Sequence, residues 1–590
     1  MSSKAFSNIF LILGLVICTI QKVSAQTNDT TGEKKIRLNQ IGFYPNAPKI
    51  AIVLGNAGKY FYVKTPDKAT VFTGVLERSI NPGFNGKTTL IADFSKFSKP
   101  GKYMMYVPGV GYSYPFDVKN SVHEDVAKAS IKAYYFIRCS TPLLEKYAGK
   151  WHRAEGHPDT NVLIHSSAVS DKRPVGAIIS ASRGWYDAGD YNKYVVNSGI
   201  STSTLLSLYE DFPGYMKSVK LNIPESGNQL PDVLNEVLWN LRWMMAMQDP
   251  NDGGVYHKLT NAEFDKFVMP DKATTPRYVV QKGTAATLDF AAVMAQASRI
   301  FAKFPAKQSL ADSCLADAKK AWAWAAEHPD VAYDQNEMNQ KFSPKIMTGA
   351  YDDDNFNDEF IWAACELFVT TNQDTYLKSV NLIPDANMPL PTWSQVRLLG
   401  YYTLIKNSNL LGYHAPKELP ELKKRLLEFA DGLINGADET AYKTVMNKSA
   451  SNFGWGSNSI AANQGVALLQ AYMLSHNSKY LVYALDNLDY LLGRNGTGYA
   501  YVTGYGSKSP MHPHHRPSVA DGVVDPVPGL LVGGPNPKMQ DGVQVPSIIP
   551  DEAYIDYYPA YAVNEIAINW NAPFAYLANA LEALQASIKK

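Results

Sequence analysis

The sequence predicts a multidomain chain, an N-terminal all-β immunoglobulin-like sandwich followed by a large all-α domain. Three observations predict it. The chain has 590 residues, too many for a single hydrophobic core. Short β-branched and aromatic runs, separated by Gly and Pro, fill residues 35–118. From Val122 onward the apolar residues recur at helical spacing instead.

In the first part, Ile36-Arg37-Leu38 is the first strand. Lys49 to Leu54 follows the turn residues Pro45-Asn46. Lys59 to Lys64 and Lys102 to Val107 are further strands. Strands this short, in about 85 residues, suit an immunoglobulin-like sandwich. In the second part, Pro231 to Met247 carries Leu234, Val237, Leu238, Leu241, Met244 and Met245 on one stripe. Thr284 to Phe301 is Ala-rich, which allows close helix packing. Tyr480 to Leu492 is stopped by Gly493. Asn571 is placed to cap the last helix, with Pro573 in its first turn and Phe574, Leu577, Leu581 and Leu584 on its buried face. Roughly a dozen helices are expected, without the period of about 34 or 40 residues that marks a solenoid. Residues 149–200 and 494–570 are not helical and are rich in Gly, Pro, His, Asp and Tyr. Long irregular segments of this kind are usually functional.

Composition limits the partners. The formal charge is +1 and no run of basic residues appears, so neither nucleic acid nor an anionic membrane surface is indicated. The 36 Tyr suit flat apolar ligands such as sugar rings, and they serve equally well in a helical core. Lys4, the apolar run Ile9–Ile17 and Val23-Ser24-Ala25 read as an export signal over residues 1–25, with the mature chain starting at Gln26. A secreted or periplasmic protein is therefore expected. A surface lipoprotein anchored at Cys18 is the lesser alternative, because Ile17 is bulky. The apolar run is too short for a stable span, and no later segment reads as one. Cys139, Cys314 and Cys365 remain after removal of the signal. An odd number in apolar helical surroundings reads as buried free thiols.

The candidate chemistry lies in the two irregular stretches. Asp187-Ala188-Gly189-Asp190 puts two carboxylates three residues apart, where each raises the other's proton affinity and both can touch one water. A metal loop or an ordinary turn would use the same pattern. Glu565 sits among Ile and aromatic residues in extended chain before the last helix, a setting that raises a carboxyl pKa as a general acid requires. His512, His514, His515 and Arg516 could ligate a metal or donate hydrogen bonds to a polyol. Pro513 breaks helical His spacing, which favours the donor reading.

Three motifs in order give these residues a family. Arg37-Leu38-Asn39-Gln40-Ile41-Gly42-Phe43 opens the β domain. Asp187-Ala188-Gly189-Asp190, then Gly506-Ser507-Lys508 through His514-His515-Arg516, and then Tyr554, Asp556, Tyr561, Glu565, Ala567, Asn571 and Ala572 follow. The chain resembles glycoside hydrolase family 9, the cellulase group with an N-terminal immunoglobulin-like domain. The resemblance implies domains at 34–118 and 122–588, the second an (α/α)6 barrel of twelve helices with an open cleft. It implies Asp190 as general base, Asp187 as holder of the attacking water, and Glu565 as general acid. It implies His514 and Arg516 as ligands of sugar hydroxyls, Asp556 as a residue that orients or binds substrate, and Trp570 as a stacking surface.

The implied activity is inverting hydrolysis of β-1,4-glucosidic bonds in a glucan polysaccharide or oligosaccharide by a monomer, with no cofactor required for catalysis. An exo-acting cellodextrinase or β-glucosidase is the runner-up. A non-catalytic glycan-binding protein would need a lost acid or base. No binding module is read beyond the last helix, so soluble or amorphous glucans, xyloglucan included, are expected over crystalline cellulose. Relatives often carry zinc on two Cys and two His. Here Cys139 has His152, His157 and His165 nearby but Gly156 where the second Cys is expected, so zinc is not expected. A structural calcium at Asp358 and Glu359 is the metal alternative, weighed against a solvated acidic loop. The Trp-Asp segment that would add a ligand reads Trp393-Ser394-Gln395.

Overall fold

Residues 34–589 are described by the structure, a computed structural model, so the export signal read at residues 1–25 lies outside the described residues. Nine strands occupy the first part: β1 (Ile36–Arg37), β2 (Gly42–Phe43), β3 (Ile50–Leu54), β4 (Tyr60–Lys64), β5 (Thr70–Arg78), β6 (Thr89–Asp93), β7 (Gly101–Val107), β8 (Gly111–Tyr112) and β9 (Phe116–Val118). They pair in the order β1-β3-β6-β5-β4-β7-β9-β2, with β8 on β7. β5 pairs with β4 through its first half and with β6 through Leu76–Arg78, so one strand carries the path from one layer of the sandwich to the other. Phe43, Phe94 and Phe116 meet in its core with ring centroids 5.1–5.5 Å apart. The alternation read from sequence missed β5 and β6. Gly74 interrupts β5, and the Phe61 ring lies on it: a Cβ there would come within 2.2 Å of that ring.

Twelve helices build the second part, alternating between an outer and an inner position along the chain. The inner six are α2 (Val195–Asp211), α4 (Thr284–Phe301), α6 (Asn357–Thr371), α8 (Arg397–Lys406), α10 (Ser457–Ser475) and α12 (Ile568–Leu584), each packed on the next and α12 closing on α2. The outer six are α1 (Glu124–Phe136), α3 (Asp232–Met247), α5 (Gln308–Glu327), α7 (Thr375–Lys378), α9 (Leu419–Ile434) and α11 (Lys479–Leu491). This is the expected (α/α)6 barrel, with one outer helix, α7, reduced to a single turn.

The two rings differ as their sequences require. α9 buries Leu419, Leu422, Leu426 and Ala430 on one face and leaves its charges outside. α10 and α12 are enclosed on most sides and so show no single stripe. In α3 the stripe is narrower than read: Leu234, Val237, Leu241 and Met244 are buried, whereas Leu238 and Met245 are only partly so.

The start of the last helix needs correction. α12 begins at Ile568, so Asn571 lies inside it and Pro573 is internal rather than in the first turn. Asn571 does not cap because its amide is engaged elsewhere. Nδ2 donates to Ser130 O at 2.7 Å, and Oδ1 accepts from Leu531 N at 3.0 Å. The free N–H of Ile568 instead donates to the backbone carbonyl of Asp187 at 2.8 Å.

A five-stranded sheet that the helical reading did not foresee lies among the loops: β10 (Val162–Ile164), β11 (Ile178–Ile179), β12 (Lys193–Tyr194), β13 (Lys258–Asn261) and β14 (Arg277–Val279), in the order β11-β10-β14-β13-β12. Its edge strand β12 follows Asp190 directly.

The β domain docks on the barrel through Ile52 and Ile91 against Ala441 and Tyr442. Asn39 Nδ2 donates to Asp489 Oδ1 at 2.8 Å, and Tyr44 OH donates to Glu582 Oε1 at 2.8 Å. Cys139, Cys314 and Cys365 are buried free thiols. No helix among the described residues is long and apolar enough to cross a membrane.

Candidate active site

The loop from Trp185 to Tyr191 is fixed at both sides. Tyr186 N donates to Ile137 O at the end of α1, and Asp187 N donates to Asn192 O. Both aspartates are buried. Asp187 Oδ1 accepts from Asn197 Nδ2, and Oδ2 accepts from Tyr351 OH, each at 2.9 Å. Burial, and then the neighbouring charge of Asp190, push the Asp187 carboxyl up to about 8. Asp190 Oδ2 accepts from Asn192 Nδ2 and, at 3.4 Å, from Tyr194 OH. Its Oδ1 makes no hydrogen bond among the described residues.

Glu565 arrives from the far end of the chain. Its backbone is extended, at φ −73° and ψ 152°, three residues before α12. Its Oε1 accepts the Gly189 N–H at 3.3 Å, and its carbonyl accepts from Gly533 N at 2.8 Å. Burial, followed by the charges of Asp190 and Asp187, holds its carboxyl well above the usual carboxylate range. A carboxyl raised in this way has the character that a general acid requires. Ile568 and Trp570, read as part of its extended alternation, are already helical.

His514 pairs alongside Glu565 in a parallel bridge. Its Nδ1 lies 2.6 Å from Tyr558 O, which only accepts, so Nδ1 carries the proton and Nε2 is left as an acceptor. Burial lowers the ring to about 4, so it is neutral at neutral pH. The donor role read from sequence is therefore revised: His514 offers a lone pair. Gly189 permits the approach of this histidine. A Cβ there would stand 2.3 Å from His514 O and 2.5 Å from its Cδ2.

Arg516 is buried and largely committed. Its Nε donates to Asp265 O at 2.8 Å and its Nη1 to Gly189 O at 2.7 Å. Phe267 and Phe264 lie 5.1 Å and 5.7 Å from its guanidinium carbon. Asp556 accepts the backbone N–H groups of Met511 and His512 at 2.7 Å and 2.9 Å, and the Asn564 amide at 3.1 Å. It braces the histidine segment against the segment of Glu565. Trp570 is half-buried, its indole against Gly456 and Gly533.

The structure thus gathers Asp187, Asp190, Glu565, His514 and Arg516 around Gly189. Asp556 and Trp570 flank them. Tyr351, Asn197 and Asn192 were missed by the sequence reading. Only Asn192 had a local signal, its place two residues after Asp190. Tyr351 stands at φ +55°, a conformation bulky residues rarely adopt, which aims its hydroxyl at Asp187. Trp455, 47% exposed, offers an open aromatic face 5.4 Å from the ring of Tyr561, which lies four residues before Glu565.

Asp358 and Glu359 occupy the first turn of α6. Asp358 Oδ2 accepts from Val396 N at 2.7 Å. Both Glu359 carboxylate oxygens are buried without a hydrogen bond, as are both of Asp289 and Oδ2 of Asp353. Burial and mutual repulsion raise the Glu359 and Asp289 carboxyls well above normal. Such oxygens suit a hard cation. No three His, Cys, Asp or Glu among the described residues close around a common point. Cys139 has its sulfur 3.4 Å from Asp159 Oδ2, and Asp159 pairs with Lys193 at 2.7 Å and Arg277 at 3.1 Å.

Known proteins are similar to this chain across both of its parts. Residues 123–578 match the glycosyl hydrolase family 9 profile, and residues 31–112 match the cellulase N-terminal ig-like domain. A xyloglucan-specific endo-β-1,4-glucanase of Bacteroides ovatus is 45% identical over 97% of this chain and 97% of its own. Endoglucanase D of Acetivibrio thermocellus is 34% identical over 94% of this chain and 85% of its own. A solved Bacteroides ovatus GH9 structure superposes with a TM-score of 0.89 at 45% identity, covering 93% of this chain and 99% of that one.

Proposed function

The chain belongs to glycosyl hydrolase family 9, and from that premise we propose that it cleaves internal β-1,4-glucosidic bonds of a xyloglucan-type glucan with inversion. The observation that carries this is the Glu565–Gly189 contact, which sets a carboxyl raised well above the usual carboxylate range beside a loop holding two aspartates.

In this reading Glu565 gives its proton to the glycosidic oxygen as the C–O bond breaks. Asp190 takes a proton from water through its unbonded Oδ1, and that water forms the new bond to the anomeric carbon. Asp187, raised to about 8, keeps its proton at neutral pH and so steers the water by hydrogen bonding instead of competing as base. His514 Nε2 accepts from a sugar hydroxyl, and Arg516 reaches one with Nη2, the nitrogen not spent on backbone. Asp556 acts by bracing. Trp570 and Trp455 offer faces for sugar rings.

The xyloglucan preference is supported by the Bacteroides ovatus relative. Product analysis on cellohexaose and on xyloglucan oligosaccharides tests it. Mixed internal products with branched chains preferred are expected, whereas release of one small product from a chain end would favour the exo-acting reading.

The same proposal includes removal of residues 1–25, export to periplasm or medium, and domains at 34–118 and 122–588. One chain is taken as the working unit, since it supplies every site residue. It also includes calcium at Asp358 and Glu359, with water and backbone oxygens completing its shell, because no three acidic side chains converge there among the described residues. The unsatisfied carboxylate oxygens support it. Calcium there would neutralise the cluster, and catalysis does not call on it. Chelation should then lower Tm and added calcium restore it. An unchanged Tm would mean that the cluster is neutralised by protons.

A further inference from the structure

Lys258 is a buried cation that the hydrolysis just described does not use. It starts β13, paired across to Tyr194 on β12. Its side chain is buried, and no carboxylate lies within ion-pair distance of it among the described residues. Nζ donates to Gln335 Oε1 at 2.5 Å, Gly349 O at 2.6 Å and Thr348 Oγ1 at 3.3 Å. The rings of Tyr333 and Tyr194 lie 5.3 Å and 5.4 Å from it. An ammonium buried without a counter-ion is costly and usually has a task.

Two paths lead from it to the aspartates. In the first, Lys258 donates to Thr348 Oγ1, and the Thr348 hydroxyl lies 2.6 Å from Thr260 Oγ1. Thr260 donates to Asn192 Oδ1 at 3.0 Å, and Asn192 Nδ2 donates to Asp190 Oδ2. With the Thr348 proton directed to Thr260, and the Thr260 proton to Asn192 Oδ1 in place of Asn261 O at 2.9 Å, every donor in the chain points from Lys258 toward Asp190, and such chains polarise one another. In the second, Lys258 holds the Gly349 carbonyl, two residues before the strained Tyr351 whose hydroxyl binds Asp187.

We propose that Lys258 is a positioning residue for both aspartates: it aligns a donor relay onto Asp190 and fixes the segment that brings Tyr351 to Asp187. The inference rests on the reading of Asp190 as base.

Charge enters as well. The titratable groups facing Lys258 are Asp190 and Tyr194 from β12 and the loop before it, His257 just before β13, and Tyr333 and Asp352 from the segment before α6. Burial brings the ammonium down to about 7, against the pull of Asp352 and Asp190. Below that pH Lys258 is a cation facing the carboxylate side of the site. Removing that cation should move the acid limb of kcat/KM to higher pH.

The test compares Lys258→Met and Lys258→Arg in the full chain, on cellohexaose, with folding checked by circular dichroism. Lys258→Met should lose about 10- to 100-fold in kcat with KM within about threefold, and its acid limb should rise by about half a pH unit or more. Lys258→Arg should bring the limb back. A folded Lys258→Met with wild-type kcat and limb overturns the proposal. So does a loss of kcat with the limb unmoved, which marks a merely structural lysine. Should Lys258→Met not fold, Thr348→Val breaks the relay and keeps the cation. It should lose about tenfold in kcat at normal KM, and wild-type turnover would overturn the proposal. The base assignment fails separately, if folded Asp190→Ala stays active.

Discussion

Glu565 accepts the backbone N–H of Gly189 at 3.3 Å, so a carboxyl from the extended segment before α12 is tied to the loop of Asp187 and Asp190. The tie is reinforced from both sides. Ile568 N donates to Asp187 O at 2.8 Å, and Arg516 Nη1 donates to Gly189 O at 2.7 Å. Of these three contacts, Ile568 N to Asp187 O runs from backbone to backbone, so side-chain rotation cannot loosen it.

Removing either proton-transfer group should be drastic. Asp190→Ala and Glu565→Gln should each lower turnover on a β-1,4-glucan by about a thousandfold. Asp187→Ala should also be severely impaired but keep more activity, and Tyr351→Phe should fall by about tenfold. Steady-state kinetics on purified, folded variants checks this. Near-normal activity in Asp190→Ala or Glu565→Gln would reject the assignment.

Gly189 should tolerate no side chain. Gly189→Ala pushes a Cβ to 2.3 Å from the His514 carbonyl, which is backbone and cannot swing aside. The histidine segment must move away from Glu565, at a cost of about 1–3 kcal/mol. Reduced Tm together with a kcat loss of more than about tenfold is expected. Wild-type values for both would show that the close approach is not needed.

Stability should carry the imprint of the raised aspartate. Burial and the charge of Asp190 push the Asp187 carboxyl up to about 8 in the folded chain, from an ordinary value of 3.8. Between these values the folded state holds a proton that the unfolded state has lost, so this group's contribution to stability falls as pH rises. Asp187→Asn lacks that term. Its Tm relative to wild type should therefore climb between about pH 4 and pH 8. A difference that stays flat over this range would contradict the raised carboxyl.

The sandwich should matter for stability ahead of chemistry. Asn39 Nδ2 bonds Asp489 Oδ1 at 2.8 Å and lies 3.0 Å from His123 Nε2, both on the barrel side of the interface. Asn39→Ala leaves a buried carboxylate short of a donor and should cost about 1–3 kcal/mol. Thermal unfolding should show it, with kcat/KM within about twofold of wild type.

What was legible in the sequence was local or periodic. Asp187, Gly189 and Asp190 are contiguous, and the stripe of α3 can be counted. Tyr351 was not legible, because its partner Asp187 lies 164 positions away and only the fold joins them. The start of α12 was misread because Asn571 has the chemistry of a cap while its amide is held by Ser130 and Leu531. The hydrogen-bond sense of His514 was not legible either, since it depends on Tyr558 O, 44 positions away. β5 was hidden by Gly74, a residue that reads as a break and in fact makes room for Phe61.

The central claim is a single displacement with Glu565 as acid and Asp190 as base, and its stereochemistry is the most direct test. Proton NMR during the first minutes of hydrolysis can follow the anomeric signal before mutarotation scrambles it. A single displacement from a β-linkage gives the α-anomer first. Early β-anomer, or a glycosyl-enzyme trapped on Asp187 or Asp190, would contradict it.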